Sequence, residues 1–418
     1  MNVVYDISVL GLGHRIEMAR TGVFRVVENV ARALVGSREV NLTFCSTIAP
    51  SAATDYLRET PAFQAVGFRP GAARVVTDRA LSRLGSLSIN SMVGRAARGL
   101  ARRSLGFGLS LLPEVSEREL SAADVFHSPH FALPRLSGGH PRVKRLLTVY
   151  DLIPILHPEW FPSGGPNLAK LAIDSLTPDD WAVCISECTR RDLLEYRPDL
   201  DPGRVRVTHL AADSSFRPDP RESQWEALKR TYGLPDEPYA LSLSTLEPRK
   251  NIAHVIRQYS RLVSEGQIGD MRLVLVGTRG WKMEEMLTEL DRSAEIRQRI
   301  VVTGFVPDRD LAPIYSHALM FLYPSFYEGF GLPPLEAMQC GVPVITSNTS
   351  SLPEVVGDSG ILVAPTDSDA LCQAILTLHR DEALRRQLSA RAIERATLFS
   401  WSRCADQVMV QYRSAAKA

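Results

Sequence analysis

With 418 residues, the chain is too long for one ordinary hydrophobic core, so we expect two domains. A hydrophobic share of 45% and a charged share of 23% exclude the disordered and fibrous classes. The formal net charge of +1 excludes a protein whose whole surface coats nucleic acid.

Short apolar runs alternate with amphipathic stretches along the chain, a pattern typical of β-α units around parallel sheets. In the first part of the chain, strands are predicted at residues 3–8, 40–46, 125–128, 146–150, 181–185 and 205–210, and a helix at 21–35. In the second part, strands are predicted at residues 239–244, 273–276, 300–304, 320–323, 342–346 and 361–363. Helices there are predicted at residues 252–265, 311–317, 334–340, 369–379 and 382–398.

A polar, proline-rich stretch at residues 216–223 separates the two sets of strands and is typical of a linker. We therefore predict an α/β protein with two doubly wound, Rossmann-like domains that face each other across a cleft. The predicted divisions are a first domain at residues 1–215, a linker at 216–236, a second domain at 237–398, and a last helix at 399–418 that crosses back to the first domain. Ligands of such sheets bind beyond the carboxyl ends of strands, so the loops after strands are the candidate sites.

The first such loop is Glu247-Pro248-Arg249-Lys250-Asn251, between a predicted strand and a predicted helix. Two adjacent cations at a helix N-terminus oppose the helix dipole, but together with free backbone N–H groups they suit a diphosphate. The alternative is a solvated surface loop in which Asn251 caps the helix. The loop alone leaves both interpretations open.

The second loop follows the predicted strand at 320–323 and contains Glu328, Gly329 and Gly331, with Glu336 in the next helix. Glycine lets the backbone approach a ligand closely, and a carboxylate accepts two hydrogen bonds from vicinal sugar hydroxyls. The alternative is a glycine-rich turn in which Glu336 only favours the helix dipole.

The spacing from Glu328 to Glu336 has the form E-x7-E, and further short segments accompany it in a fixed order. They lie at residues 21–25, 151–154, 185–189, 247–251, 304–306, 323–325, 341–345 and 352–355. This ordered set resembles the retaining family 4 glycosyltransferases, and in particular the mannosyltransferase-like members of bacterial polysaccharide clusters. The resemblance implies the GT-B fold.

The resemblance also implies an activity, EC class 2.4. We expect a hexosyltransferase that moves a hexose, with retained configuration, from a nucleotide sugar to a hydroxyl of a glycan or lipid-linked glycan in polysaccharide or lipopolysaccharide biosynthesis. Mannose from GDP-mannose is the first choice of donor. The alternatives are a UDP- or dTDP-sugar donor, a sugar-nucleotide epimerase, and an inactive partner protein with the same fold.

Roles for individual residues follow from the resemblance. Arg249 and Lys250 are expected on the donor diphosphate, Glu336 on the ribose, and Glu328 on the transferred sugar. The expected donor site comprises Gly22, Thr245, Arg249, Lys250, Gly277, Val306, Glu328, Gly329, Phe330, Gly331, Leu332 and Glu336. The expected catalytic residues are Glu328, Arg249, Lys250, Tyr150 and Asp151.

The chain departs from the family pattern at Tyr150-Asp151, where members commonly carry histidine before the aspartate. Tyrosine donates a hydrogen bond but does not change protonation near neutral pH as histidine does. Either Tyr150 keeps only a positioning role, or His127 or His130 acts on the acceptor side in its place. A structural role for both histidines is the alternative.

No metal or other cofactor is expected. The D-x-D segment Asp367-Ser368-Asp369 precedes an apolar-periodic stretch and is better explained as a helix cap. Cys184 and Cys188 have no second ligand pair nearby, so we interpret them as buried thiols and not as zinc ligands.

The range from Arg69 to Leu112 contains eight arginines and one acidic residue, interleaved with apolar residues. Such a segment fits an anionic membrane surface, and the alternatives are a solvated helix face or a mobile acceptor loop. Nucleic acid is not expected as a partner, because no aromatic stacking platform is interleaved with the arginines. No run approaches the roughly 20 apolar residues that cross a bilayer, and residues 1–8 lack the basic start of a signal peptide. We therefore expect a cytoplasmic protein, free or peripheral on the inner face of the cell membrane.

Overall fold

The computed structural model describes residues 1–16, 22–86, 115, 117–134, 142–162, 164–219, 222–278, 280, 284–291 and 293–418. Within these ranges the strands form two separate sheets, of seven and six strands. Every strand pairs in parallel with its neighbours, as the alternation of apolar and amphipathic stretches predicts. We call the parts of the chain built on these sheets the first unit and the second unit.

The sheet of the first unit has the order β3-β2-β1-β4-β5-β6-β7. Its strands are β1 Asn2–Asp6, β2 Asn41–Cys45, β3 Gly67–Phe68, β4 Val125–Ser128, β5 Lys144–Val149, β6 Trp181–Cys184 and β7 Val205–Val207. The two-residue strand β3 was not predicted, because it is too short to carry a hydrophobic pattern. The order reverses between β1 and β4, so the loops after these two strands diverge and leave a crevice at this edge.

The sheet of the second unit has the order β10-β9-β8-β11-β12-β13. Its strands are β8 Tyr239–Leu243, β9 Arg272–Val276, β10 Ile300–Gly304, β11 Met320–Tyr323, β12 Val344–Ser347 and β13 Ile361–Val363. The order reverses between β8 and β11. The two loops singled out in the sequence follow these two strands, and they therefore meet at the reversal point, where open α/β sheets bind ligands.

Helices cover the faces of both sheets. In the first unit they are α1 Ser8–Arg15, α2 Gly22–Gly36, α3 Pro50–Glu59, α4 Ala72–Ser86, α5 Glu117–Ser121, α6 Ile153–Leu156, α7 Leu168–Asp174 and α8 Glu187–Tyr196. Later in the chain they are α9 Glu222–Tyr232, α10 Ile252–Ser264, α11 Glu284–Leu290, α12 Ala294–Arg299, α13 Asp308–Ser316, α14 Leu332–Gln339, α15 Leu352–Val356, α16 Ser368–Arg380, α17 Glu382–Ala396 and α18 Trp401–Lys417. Short 3-10 helices lie at Pro61–Phe63, Pro158–Trp160, Pro248–Lys250 and Gly357–Ser359.

The basic range from Arg69 to Leu112 is described only up to residue 86. Within α4, Arg74 is buried and donates to the carbonyl oxygen of Thr47, while Arg79 pairs with Asp55 at 3.2 Å. These two arginines therefore support internal contacts and do not form an exposed basic face. In the described part of the chain, no helix is long and apolar enough to cross a membrane.

The last helix, α18, packs against α2, β4 and β6 of the first unit. Its Tyr412 is fully buried, and the hydroxyl lies 2.6 Å from Nδ1 of His127 at the end of β4. The other ring nitrogen of His127 lies 2.8 Å from the hydroxyl of Thr148. The C-terminus of the chain is thus fixed to the core of the first unit by a buried polar contact.

Replacing Tyr412 with phenylalanine should lower the free energy of unfolding by about 1–3 kcal/mol, because one ring nitrogen of His127 would lose its partner inside the core. Urea denaturation measures this change. The same substitution at Tyr196, whose hydroxyl accepts from the exposed side chain of Lys170, should change the stability by less than the Tyr412 substitution. Equal effects of the two substitutions would contradict the docking of α18.

Candidate active site

Two loops of the second unit form the centre of the candidate site. We call residues 244–251, after β8, the cation loop, and residues 324–331, after β11, the acidic loop. Asn251 adopts a left-handed backbone conformation with φ of 59° and makes no side-chain cap to α10. Its amide instead donates to the carbonyl oxygens of Pro324 and Pro365, at 3.0 and 2.7 Å. Asn251 therefore occupies the N-cap position of α10, but its side chain joins the loops and does not cap the helix.

The carboxylate of Glu328 lies between both cations of the cation loop. Lys250 donates to one of its oxygens at 2.7 Å, and Arg249 donates to the other at 2.7 Å. The hydroxyl of Ser325 donates to the same oxygen as Lys250, at 2.6 Å. Burial alone would raise the pKa of this carboxyl, but the two cations and these hydrogen bonds lower it to about 2. Glu328 is therefore ionised over the whole physiological pH range.

Arg249 also contacts a second buried carboxylate, that of Glu247, at 2.6 Å. Lys250 donates in addition to the hydroxyl of Tyr323 at 2.8 Å. Burial and the neighbouring Arg249 lower the pKa of Lys250, while Glu328 opposes that shift. The buried Nε atom of Arg249 has no hydrogen-bond partner among the described residues. Two cations and two carboxylates thus form a cluster whose formal charges cancel.

Glu336 lies in the first turn and a half of α14 and is 4% exposed. Tyr315 donates to it at 3.1 Å, and Arg25, from α2 of the first unit, donates at 3.2 Å. Arg25 also pairs with Asp308. Burial raises the pKa of Glu336 to about 7, against the opposing effects of Arg25 and Tyr315. The carboxyl group of Glu336 therefore titrates near neutral pH, and one of its hydrogen-bond partners, Arg25, belongs to the first unit.

The acidic loop meets the first unit at Tyr150-Asp151. Thr189 of α8 donates to the carbonyl oxygen of Tyr150 at 3.1 Å and to that of Gly329 at 3.3 Å. A Cβ built on Gly329 would overlap with the same Tyr150 carbonyl oxygen. Close by, the hydroxyl of Tyr327 donates to Asp192 at 2.6 Å. The two units are therefore in direct contact on either side of the acidic loop.

Replacing Gly329 with alanine should destabilise the contact between the units, because the added methyl group has no room beside the Tyr150 carbonyl. The expected cost is about 1–3 kcal/mol, typical of overpacking, and urea denaturation measures it. Gly36, at the end of α2, is a matched control because a Cβ there meets no atom within 4 Å. An unchanged stability of the Gly329 variant would show that the units do not meet there in solution.

Asp151 accepts a hydrogen bond from the backbone N–H of Ile153 at 3.0 Å and so caps the short helix α6. Burial raises its pKa, and the nearby Arg249 opposes the shift. The buried hydroxyl of Tyr150 has no hydrogen-bond partner among the described residues. The carbonyl group of Tyr150 thus lies against the acidic loop. The carboxylate of Asp151 binds the backbone at the start of α6.

The two candidate histidines occupy different positions. His127 is 1% exposed with both ring nitrogens engaged, and burial lowers its pKa to about 3. Its position in the core excludes direct contact with an acceptor in this arrangement, so the structural alternative describes it better. The ring of His130 lies 5.7 Å from the ring of Tyr150, and burial lowers its pKa to about 4. Both side chains are neutral near pH 7.

The other residues expected at the donor surround the cluster. Gly277, with φ of +146°, packs so closely on the carbonyl of Ser244 that no Cβ fits, and its N–H donates to Gly304 at 3.0 Å. The loops after β8, β9 and β10 therefore converge. Val306 and Phe330 are buried in the core, so their side chains are not available to a ligand. Thr245 is exposed, Gly331 has φ of +116° and precedes α14, and Gly22 lies against Leu332 across the units.

The D-x-D segment caps a helix. Asp367 accepts from the N–H of Ala370 at 2.9 Å at the start of α16, and Asp369 pairs with Arg261 at 2.7 Å. Across the described ranges, no group of three or more metal-ligating side chains comes together. Arg249 and Lys250 contact the acidic loop directly, through the carboxylate of Glu328.

Comparison with known proteins identifies the family. The sequence model for glycosyl transferases group 1 matches residues 225–395. O-antigen chain mannosyltransferase B of Escherichia coli is 36% identical over 290 residues, which cover 69% of this chain and 74% of that protein. The chain belongs to the group 1 glycosyl transferases. The resemblance to family 4 glycosyltransferases is therefore confirmed, and the protein is a glycosyltransferase.

Two further comparisons extend this result. The serotype-specific mannosyltransferase WbdA of Escherichia coli is 34% identical over 266 residues, but the match spans only about a third of its length, 32%. The crystal structure of Anabaena Alr3699/HepE in complex with UDP and glucose has a TM-score of 0.65 at 15% identity and covers 99% of this chain and 100% of that one. The structural likeness confirms the predicted GT-B fold.

From the sequence we identified two glutamates, Glu328 and Glu336, and the cations of the cation loop as site residues. We assigned no role to Arg25 or Glu247. Arg25 lies in the family-like segment at residues 21–25, but no local sequence pattern connects it with Glu336, 311 residues later. Glu247 lies in the family-like segment at residues 247–251 and is the second carboxylate of the buried cluster. A charged residue in the first turn of the helix that begins at Gly22 was the available signal for Arg25.

Proposed function

We propose that this glycosyltransferase moves mannose from GDP-mannose to a hydroxyl of a growing bacterial polysaccharide, with retained anomeric configuration. The observation that carries the proposal is the buried cluster of Arg249, Lys250 and Glu328 at the reversal point of the second sheet. The names of the E. coli relatives support mannose as the sugar and an O-antigen-like polysaccharide as the product. The family resemblance supports retention.

The cluster has the chemistry that leaving-group departure requires. When the bond between sugar and diphosphate breaks, negative charge grows on the phosphate oxygens, and fixed cations stabilise it. The side chains of Lys250 and Arg249 supply the positive charge. Glu328 is ionised and accepts hydrogen bonds from sugar hydroxyls, while Glu336 accepts from the ribose. Closure of the two units around Gly329 excludes water, which would otherwise hydrolyse the donor.

A UDP- or dTDP-sugar is the alternative donor. The relatives with transferase names favour transfer over epimerisation and over an inactive binding role. Tyr150 in place of histidine fits a positioning role, because its carbonyl oxygen is bound by Thr189 and packs against Gly329. The acceptor is a glycan or a lipid-linked glycan.

A thermal-shift screen with GDP, UDP, dTDP and ADP tests the donor. A ligand at 100 times its Kd stabilises the folded state by about 2.7 kcal/mol, so selective binding gives a clear rise in Tm. We expect GDP to raise the Tm most, and the Lys250→Met variant to lose that rise. Selective stabilisation by UDP or dTDP would replace the proposed donor. An absence of stabilisation by all four nucleotides would contradict the donor site.

A further inference from the structure

A cleft of about 320 Å³ lies beside the cation loop and shares Glu247 with the buried charge cluster. Its lining includes Trp160 from the first unit and Phe326, Glu247, His254 and Arg257 from the second unit. None of Arg249, Lys250, Glu328 and Glu336 lines it. The volume falls within the roughly 300–1,000 Å³ of small-ligand sites. The cleft is thus distinct from the proposed donor site but adjoins it.

Aromatic rings form one wall of this cleft. The ring of His157 stacks on that of Trp160, with centroids 4.1 Å apart and planes 18° apart. The rings of Trp160 and Phe326 are 6.1 Å apart with planes inclined by 21°, so the row of nearly parallel rings passes from one unit to the other. Both Trp160 and Phe326 are partly exposed. Partly exposed aromatic rings offer apolar surface to the C–H faces of pyranose rings, which are apolar on one side and carry hydroxyls at the edge.

The other side of the cleft is polar. Its lining includes Arg257, whose side chain is 37% exposed and pairs with Glu289 at 3.0 Å, and the mostly buried Glu247, whose carboxylate Arg249 contacts. A guanidinium group donates to hydroxyl oxygens, so Arg257 suits a ligand rich in hydroxyls. A phosphate is disfavoured, because the carboxylate of Glu247 would repel it and Arg257 in the lining already pairs with Glu289. The combination of aromatic and hydroxyl-binding groups therefore favours a carbohydrate over a nucleotide.

The cleft connects with the charge cluster through two residues. Glu247 pairs with Arg249, which pairs with Glu328. The N–H of Phe326 donates to the carbonyl oxygen of Arg249 at 2.9 Å. A ligand in the cleft thus lies one residue away from the groups that hold the donor.

We propose that this cleft is a glycan subsite that holds a sugar residue of the acceptor chain, one or more units away from the hydroxyl that is glycosylated. The proposal rests on the proposed function, since it requires a glycan acceptor. In this subsite, Trp160 and Phe326 favour the binding of an elongated acceptor over that of a single sugar.

The test compares Trp160→Ala with the wild type, using GDP-mannose as donor and either methyl α-mannoside or a mannose trisaccharide as acceptor. We expect the KM for the trisaccharide to rise roughly tenfold in the variant, a cost typical of truncating an aromatic contact residue. The kinetics with methyl α-mannoside and the Kd for GDP should stay unchanged. Trp160→Phe should restore most of the trisaccharide KM, because it keeps a ring in the row.

Trp225 provides the matched control, because it stacks on His317 at 3.7 Å outside the cleft. Trp225→Ala should leave the ratio of the two acceptor KM values unchanged. An equal loss with both acceptors after Trp160→Ala would overturn the subsite, and a weakened Kd for GDP would show that the cleft holds the nucleobase instead.

Saturation-transfer NMR with the trisaccharide and no donor separates this proposal from the proposed function. Binding by the wild type that disappears in Trp160→Ala supports the subsite even where transfer from GDP-mannose fails. Equal binding by both proteins overturns the subsite even where transfer succeeds. Absence of binding by the wild type also overturns it.

Discussion

Replacing Lys250 with methionine should lower kcat for sugar transfer by about 10²–10³-fold, the usual cost of removing one donor that stabilises developing charge. The ammonium group of Lys250 donates hydrogen bonds to Glu328 and Tyr323 in a largely buried site. An electrostatic interaction is stronger there than in water. Methionine keeps the length of the side chain and removes the charge. Glu328 keeps Arg249 and Ser325 as partners, so the loop retains most of its contacts. Steady-state kinetics with a saturating donor measure the change.

Two substitutions control for this result. Lys250→Arg keeps a cation and should retain more activity than methionine, although its planar group fits the site less well. Lys170→Met makes the same chemical change at an exposed pair with Asp174 and should leave kcat unchanged. A Lys250→Met enzyme that folds with a wild-type kcat would show that this lysine does not stabilise the leaving group.

The affinity for GDP-mannose should fall as the pH drops through about 7, approaching tenfold per pH unit below pH 6, and therefore about fiftyfold between pH 7 and pH 5. The cause is Glu336, whose pKa in the free protein is raised to about 7 by burial, against Arg25 and Tyr315. Ribose hydroxyls bind the carboxylate, so below this pKa the donor can bind only after a proton is lost. The diphosphate of a nucleotide sugar does not titrate in this range. Isothermal titration at a series of pH values measures the effect.

Variants of both partners test this dependence. Arg25→Gln removes a cation that lowers the pKa of Glu336, so the midpoint of the pH dependence should move to higher pH. Glu336→Gln should bind more weakly at pH 8 and lose the dependence. A wild-type affinity that is constant from pH 5 to pH 8 would contradict the assignment of Glu336 to the ribose.

The same carboxyl has the opposite effect on the stability of the free protein. Its folded-state pKa of about 7 is above the ordinary value of 4.5, so the folded state binds more protons between these values. The contribution of Glu336 to stability is therefore fully present below about pH 4.5 and is lost as the pH rises through about 7. Donor binding and the stability of the free protein thus respond to pH in opposite directions through this group.

Much of the fold follows from the alternation of apolar and amphipathic stretches. Parallel strands need helical crossovers, and the alternation therefore predicts two parallel sheets before any residue pair is known. The loops after β8 and β11 were identified from charge and glycine content. They lie next to each other because the strand order reverses between these strands, although Arg249 and Glu328 are 79 residues apart in the sequence.

Contacts across the units were not predictable in this way. The bond between Arg25 and Glu336, the packing of Gly329 on Tyr150, and the bond between Tyr412 and His127 all depend on the placement of distant segments. Local patterns carry no information on that placement. From the sequence we expected Arg249 and Lys250 to bind the donor diphosphate. The structure also pairs these cations with the carboxylates of Glu328 and Glu247.

The most direct test of the proposed transfer is NMR analysis of the product formed from GDP-mannose and a mannose oligosaccharide. GDP-mannose is α-linked, so a retaining transfer should give a new α-mannoside, formed by the wild type and reduced about 10²–10³-fold in Lys250→Met. A β-mannoside would contradict retention. Formation of product at the wild-type rate by Lys250→Met, or no mannoside from the wild type, would contradict the assignment of Arg249, Lys250 and Glu328 to the mannose donor.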